Sequence, residues 1–157
     1  MSEVESHARG VRLIDVSERP VEVRTAVASG RVRVGEGPFR QIQAGVHPKG
    51  DVLTVAQVAG ILGAKQASRL LPLCQDVVLR GVEVEMELDE TDFAVTIRAY
   101  VKAHGATGVA MEALTAVSIA ALTIFDMCRA AARDAEITEV RLVAKTGGQS
   151  GDYLRRG

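Results

Sequence analysis

The sequence predicts an α+β domain, one antiparallel sheet with two long helices on a single face, and three observations predict it. Stretches of alternating apolar and polar residues occur at four places in the chain. Two longer stretches carry apolar residues at helical spacing. Their order is β, α, β, β, α, β. The chain has 157 residues, the size of one domain, and is 47% apolar, which is enough to build a core. Aromatic residues supply only 3%, so that core must be made of Val, Leu, Ile and Ala.

Residues 1–10 read as a loose, flexible N-terminal tail and 11–157 as a single domain. From Pro20 to Val34, the residues Val21, Val23, Val32 and Val34 alternate with Glu22, Arg24, Arg31 and Arg33, which is strand periodicity, interrupted around Ser29-Gly30. Gly35-Glu36-Gly37-Pro38 is a turn, and a short helix follows, ending near Gly45. Asp51 is placed as the N-cap of a helix. Val52, Val55, Ala56, Ala59, Leu62, Gly63 and Leu70 recur along it at helical spacing, and it should end before Pro72. A proline between two leucines there predicts a buried turn. Gly81 starts a strand running Val82 to Leu88, Asp89 to Asp92 turns the chain, and Phe93 to Lys102 is its partner. Phe93, Val95, Ile97 and Ala99 share one face, so the hairpin has one solvated side.

A second long helix is expected from about Val109 to Arg133. It is Ala-rich and apolar around most of its girth, so it is buried on more than one side. That is more burial than a small domain gives one helix, and it points to an oligomer. A last strand, Glu139 to Lys145, precedes a flexible polar loop, Thr146 to Gly151, that leads to the C-terminus. The element order is that of the ferredoxin-like motif, a fold that hosts many unrelated functions.

Net charge is −1 and both signs are interspersed, unlike the basic stripe of a nucleic-acid binder. Small anionic ligands are not excluded, because a few cations in one cleft suffice. The start, Met1-Ser2-Glu3-Val4-Glu5, is acidic with no apolar run after it, so it does not read as a signal peptide. Ala113 to Phe125 carries Thr115, Ser118 and Thr123 and is too short and polar to span a bilayer comfortably. A cytoplasmic protein that engages neither nucleic acid nor membrane is the expectation. Cys74 and Cys128 are far apart and lack a CxxC partner, so they read as reduced, buried, small apolar residues.

Four places could carry chemistry. In His47-Pro48-Lys49-Gly50-Asp51 a lysine precedes a helix N-terminus, where orphan N–H groups and the helix dipole favour an anion; an ordinary surface lysine fits the same pattern. Leu71-Pro72-Leu73-Cys74-Gln75-Asp76 could turn Gln75 and Asp76 into a cleft, or into solvent. On the long helix, Glu112 stands among apolar residues, and Asp126 and Arg129 share a face; buried polar groups there need partners. Lys145-Thr146-Gly147-Gly148-Gln149-Ser150-Gly151 sets three glycines beside a lysine and hydroxyls, and successive backbone N–H groups in such a loop can cradle phosphate. Arg24, Lys65 and Arg141 are further cations.

Several stretches together resemble one family. They are Leu13-Ile14-Asp15-Val16-Ser17, Lys49-Gly50-Asp51-Val52, Ala59-Gly60-Ile61 with Ala64-Lys65, Leu71-Pro72-Leu73-Cys74, Thr107-Gly108-Val109, Met111 to Ala116, Ala120 to Thr123, Asp126-Met127-Cys128, Lys145 to Gly148 and Ser150-Gly151-Asp152. They are similar to MoaC, the pterin-forming cyclase of molybdenum cofactor biosynthesis, from about residue 11 to 153. The resemblance implies a ferredoxin-like subunit in a hexamer, a trimer of dimers with sites at the dimer interface. It implies a lyase that takes a GTP-derived cyclic nucleotide, of the 3′,8-cyclo-dihydro-GTP type, from an upstream radical SAM enzyme. The lyase converts it to a cyclic pyranopterin phosphate and releases pyrophosphate, with no cofactor and no essential metal. Carried over by position, Lys49, Glu112, Asp126 and Arg129 are the catalytic candidates. Lys145, Gly147, Gly148, Gln149, Ser150, Gln75, Lys65 and Arg24 are the substrate- or phosphate-binding ones.

This chain departs from the family pattern at four of those places. Gln75 replaces a histidine, Ala110 a glutamate, Arg129 a lysine and Gln149 a lysine. Gln75 cannot titrate where a histidine would. Ala110 removes a carboxylate. Arg129 keeps the charge but stays protonated, clamping oxyanions rather than moving protons. Anion binding thus survives better than proton transfer. Three functions follow: the usual cyclase, the same scaffold turned to another nucleotide-derived substrate in a specialised pathway, or a non-catalytic nucleotide-binding paralogue.

Overall fold

The computed structural model describes residues 10–157; the expected tail at 1–10 lies, apart from Gly10, outside them. Eight elements follow in order: β1 (Glu22–Arg33), α1 (Glu36–Ala44), α2 (Val52–Leu70), β2 (Val78–Asp89), β3 (Ala94–Gly105), α3 (Ala110–Cys128), β4 (Glu136–Thr146) and β5 (Tyr153–Leu154). The sheet order is β2-β3-β1-β4-β5, and every neighbouring pair is antiparallel. β2 is therefore parallel to β1 across β3, and β4 parallel to β3 across β1. These two interleaved βαβ units are the predicted α+β, ferredoxin-like arrangement.

The core lies between one sheet face and the helices. Alternate residues of β1 (Ala26, Ala28, Val32) and β3 (Ile97, Ala99, Val101) are fully buried. They meet Ala113, Ala116, Val117, Ala120 and Ile124 of α3, also fully buried. The small residues on α3 let it lie close to the sheet. By length and composition α3 is apolar enough to cross a membrane; in this fold its apolar face is used against the sheet and α2. The opposite sheet face is solvated and charged, with Glu83, Glu85, Glu87, Arg98 and Lys102 exposed and Glu85 directly across from Arg98.

Several boundaries differ from expectation, each for a physical reason. β1 is not interrupted at Ser29-Gly30. A Cβ on Gly30 would sit 2.5 Å from Cγ1 of Val117, so this glycine marks the close approach of α3, not a turn. β2 starts at Val78 rather than Gly81, and the irregular register between Leu79 and Gly81 hides the alternation. β4 starts at Glu136 rather than Glu139, because Glu139 has φ 57° where the β1–β4 register shifts, and a bulge breaks period two. α3 stops at Cys128 rather than Arg133: the Ala-rich pattern continues, but Ala131 N–H bonds back to Cys128 O and Ala135 N–H to Ala132 O, three residues away each time. The loop after β4 does not run free to the terminus; β5 pairs Tyr153 with Lys145 and Leu154 with Ala144. Two residues are too few to show alternation. The turn at Pro72 is exposed rather than buried.

Candidate active site at the two ends of helix α3

The glycine loop forms the first hollow. β4 delivers Lys145 and Thr146, and the chain then turns back with Gly147 at φ 91° and Gly148 at φ 92°, a conformation that favours glycine. Space demands it as well. A Cβ on Gly147 would lie 2.6 Å from the carbonyl oxygen of Val23, and one on Gly148 2.2 Å from Nη1 of Arg24. The loop therefore lies flat against the start of β1. Its amides already hold carboxylates: Gly148 N–H donates to Oε1 of Glu22 at 2.6 Å and Gly147 N–H to Oδ1 of Asp152 at 3.2 Å. Lys145 Nζ donates to Ser150 Oγ at 3.2 Å. The cavity between this loop and the 106–109 turn is about 360 Å³.

Arg24 is the floor of that hollow and is buried. Its Nε donates to Gly105 O at 3.3 Å and its Nη2 to Ala106 O at 3.0 Å, with Glu22 3.5 Å away. It braces the turn before α3 as much as it faces the cavity. Gln149 and Ser150 are exposed on the rim.

The second hollow, about 260 Å³, contains Glu112. Glu112 sits in the first turn of α3 and is only 3% exposed. Its Oε2 accepts from the Cys74 thiol at 3.6 Å, while Oε1 has no partner among the described residues. Burial pushes the Glu112 carboxyl above the usual carboxylate range. Burial, with the adjacent Glu112 charge, pushes the Cys74 thiol up to about 11. Cys74 is thus half-buried and polar in role, rather than the inert buried residue its spacing predicts. Gln75 Nε2 donates to the carbonyl of Ile14, tying the N-terminal segment across the mouth. Ala110 opens the helix two residues before Glu112.

Arg19, Thr107 and Gly108 line both hollows, so the two adjoin across the turn that leads into α3. At one end are Lys145 and Arg24, with the Gly147 and Gly148 amides held by Asp152 and Glu22; at the other is a desolvated carboxyl. That arrangement can hold an anionic group and offer a proton to the rest of the same ligand.

The remaining candidates lie at the other end of α3. Lys49 is exposed on a turn where its own N–H donates to Nδ1 of His47 at 3.1 Å. It faces the end of α3 across a cavity of about 200 Å³ lined by Met127, Cys128 and Ala130. Cys128 is 2% exposed; burial raises its thiol and the charge of Lys49 partly opposes that. Asp126 and Arg129 form an exposed ion pair at 3.1 Å. The N-terminus of α2 is capped by Asp51, which accepts from Thr54 N–H at 3.2 Å.

Glu112 and Asp126 are fourteen residues apart on α3, about 21 Å along a helix axis at ~1.5 Å per residue. One copy of the chain therefore does not bring Lys49, Asp126 and Arg129 to Glu112 and Lys145. Lys65 is exposed on α2 and lines none of these cavities. Arg19, Glu22, Thr107 and Cys74 are site residues that sequence reasoning did not select. Arg19 precedes the first strand and Glu22 reads as one polar position of its alternation, and only the fold brings them beside residues 106–109.

Residues 13–148 match the MoaC family. The chain is 54% identical over 144 residues to the cyclic pyranopterin monophosphate synthase of Salinibacter ruber, covering 92% of this chain and 85% of that protein. It is 51% identical over 146 residues to the enzyme of the same name from Heliobacterium modesticaldum, covering 93% and 92%. It is also 48% identical over 155 residues to molybdenum cofactor biosynthesis protein 1 of Mus musculus, where it spans 99% of this chain but 24% of that longer protein.

Proposed function

The chain belongs to the MoaC family, and from that premise we propose that it is a pyrophosphate-releasing lyase of molybdenum cofactor biosynthesis. Its substrate is a GTP-derived cyclic nucleotide and its product a cyclic pyranopterin phosphate. The observation that carries this reading is the pair of adjoining hollows at the start of α3. Cations at one end suit phosphate oxygens, and the glycine amides do so once Glu22 and Asp152 release them. The buried Glu112 at the other suits a step in which a proton moves on the ring system. In this reading Lys145, Arg24, Gly147, Gly148, Gln149 and Ser150 hold the phosphates, and Gln75 shapes the pocket through its bond to Ile14. The lyase works in the cytoplasm, after the radical SAM step that makes its substrate.

Lys49, Asp126 and Arg129 enter the site from a second copy. Their separation from Glu112 along α3 supports this, because an exposed lysine and an exposed ion pair are free to meet another surface. A homo-oligomer with paired sites follows, a trimer of dimers. The deciding experiment incubates the purified protein with the cyclic GTP-derived substrate, beside the Salinibacter ruber relative. Mass spectrometry follows the pterin product and pyrophosphate. Formation of both at a comparable rate supports the reading, and absence of both with the relative active retires it.

One observation favours a second reading, the same scaffold acting on a different nucleotide-derived substrate. Gln75 spends its amide on a backbone carbonyl and offers no titrating group. The variant Gln75→His, Ala110→Glu, Arg129→Lys separates the two. Cyclase activity in the triple variant alone would mean that the natural chain is not the usual cyclase.

A further inference from the structure

The mouth of the Glu112 hollow holds an arrangement that anion binding does not explain. Glu112 is a carboxyl at 3% exposure with one oxygen unpartnered among the described residues. None of the ion pairs among those residues includes it. The charged and titratable groups around it are Arg12 and Arg19 from the N-terminal segment, and Cys74 and Asp76 from the connection after α2. Among these groups Cys74 bonds its side chain, through Sγ at 3.6 Å from Oε2. A carboxylate stripped of water and left without a cation takes up a proton rather than stay charged.

We propose that Cys74 is a positioning residue, whose thiol holds Oε2 of Glu112 so that Oε1 faces the cleft as the proton-bearing oxygen of a neutral carboxylic acid. A thiol suits this task. It is a weak donor, too weak to force the carboxyl to ionise as an arginine would. Burial alone raises its ionisation, so it stays an S–H donor at neutral pH. The consequence is balanced. The proton leaves Oε1 for a basic nitrogen or oxygen of the bound ligand, and the carboxylate left behind keeps the S–H bond at Oε2. The inference rests on the proposed lyase reading only for its kinetic part.

The test uses the full chain and three variants. Infrared difference spectra of the wild type against Glu112→Gln at neutral pH should lose one protonated-carboxyl C=O band, and Cys74→Ala should shift that band in frequency. In kinetics, Cys74→Ala should lower kcat by about three- to tenfold, the worth of one modest hydrogen bond. It should also move the basic limb of the pH profile upward, because the thiol favours the carboxylate form. Cys74→Ser, a stronger donor of similar shape, should restore kcat and move that limb downward. A merely structural role for Cys74 would change folding without moving the band or the limb. If Glu112→Gln removes no protonated-carboxyl band, Glu112 is ionised and paired, and the proposal is overturned. A silent cyclase assay with the band present would retire the lyase reading while leaving this one standing.

Discussion

The two ends of α3 handle charge in opposite ways. At the N-terminal end a carboxyl is buried to 3% exposure without a cation, and an arginine is buried under a glycine loop with its donors spent on backbone carbonyls. At the C-terminal end Lys49, Asp126 and Arg129 are all exposed. Burial makes each polar group expensive unless satisfied, so the first end is preorganised and its groups are fixed by neighbours. Exposed pairs contribute little to stability, so the second end keeps its charges available. In the proposed reading, a site assembled from both needs two copies of the chain, one supplying the built pocket and one the free charges.

The largest effect that would break this comparison comes from complementation. Lys49→Ala and Glu112→Gln should each lower turnover by about a hundredfold or more, on the scale of removing one group that stabilises a transition state. Co-refolding the two variant chains should restore activity, because some sites then combine an intact pocket with an intact lysine. Mixed assemblies as inactive as either parent would place Lys49 and Glu112 of a site in one copy. Gly147→Ala comes next. Its left-handed φ and the Val23 carbonyl 2.6 Å from the new Cβ should cost about 1–3 kcal/mol, read as a lower urea midpoint together with weaker pyrophosphate binding.

Glu112→Gln also sharpens the contrast through pH. The Glu112 carboxyl is raised by burial, so the folded state favours its protonated form. Stability from that preference is complete below the ordinary glutamate range and is lost as pH rises through the folded value. Glutamine carries no such loss. The variant should therefore melt above the wild type at about pH 8 and close to it at about pH 4. A constant difference at both would mean that the carboxyl does not titrate with folding. The smallest effects belong to the exposed charges: Asp126→Asn and Lys65→Ala should each change stability by less than about 1 kcal/mol.

Periodicity located every long element, because burial on one face writes period two or 3.6 into the chain. It misplaced boundaries where a bulge at Glu139, an irregular pair at Leu79 and Gly81, or a close helix at Gly30 broke the period for tertiary reasons. Lys145, Gly147 and Gly148 stood out from residue types alone as a glycine loop beside a lysine, and Glu112 was legible as an odd charge on an apolar helix. Cys74 was not, since a cysteine beside two leucines reads as core until a carboxyl is found next to it.

By itself, the amino-acid sequence determined the element order, the apolar faces and the motifs that mark the family, because these are local or one-dimensional properties. Only the tertiary structure decided which charged residues meet. Glu22 reaches the Gly148 amide across 126 positions of chain, Cys74 reaches Glu112 across 38, and Lys49 ends at the far end of α3 from both. Those meetings depend on strand order and helix length, which no local pattern encodes.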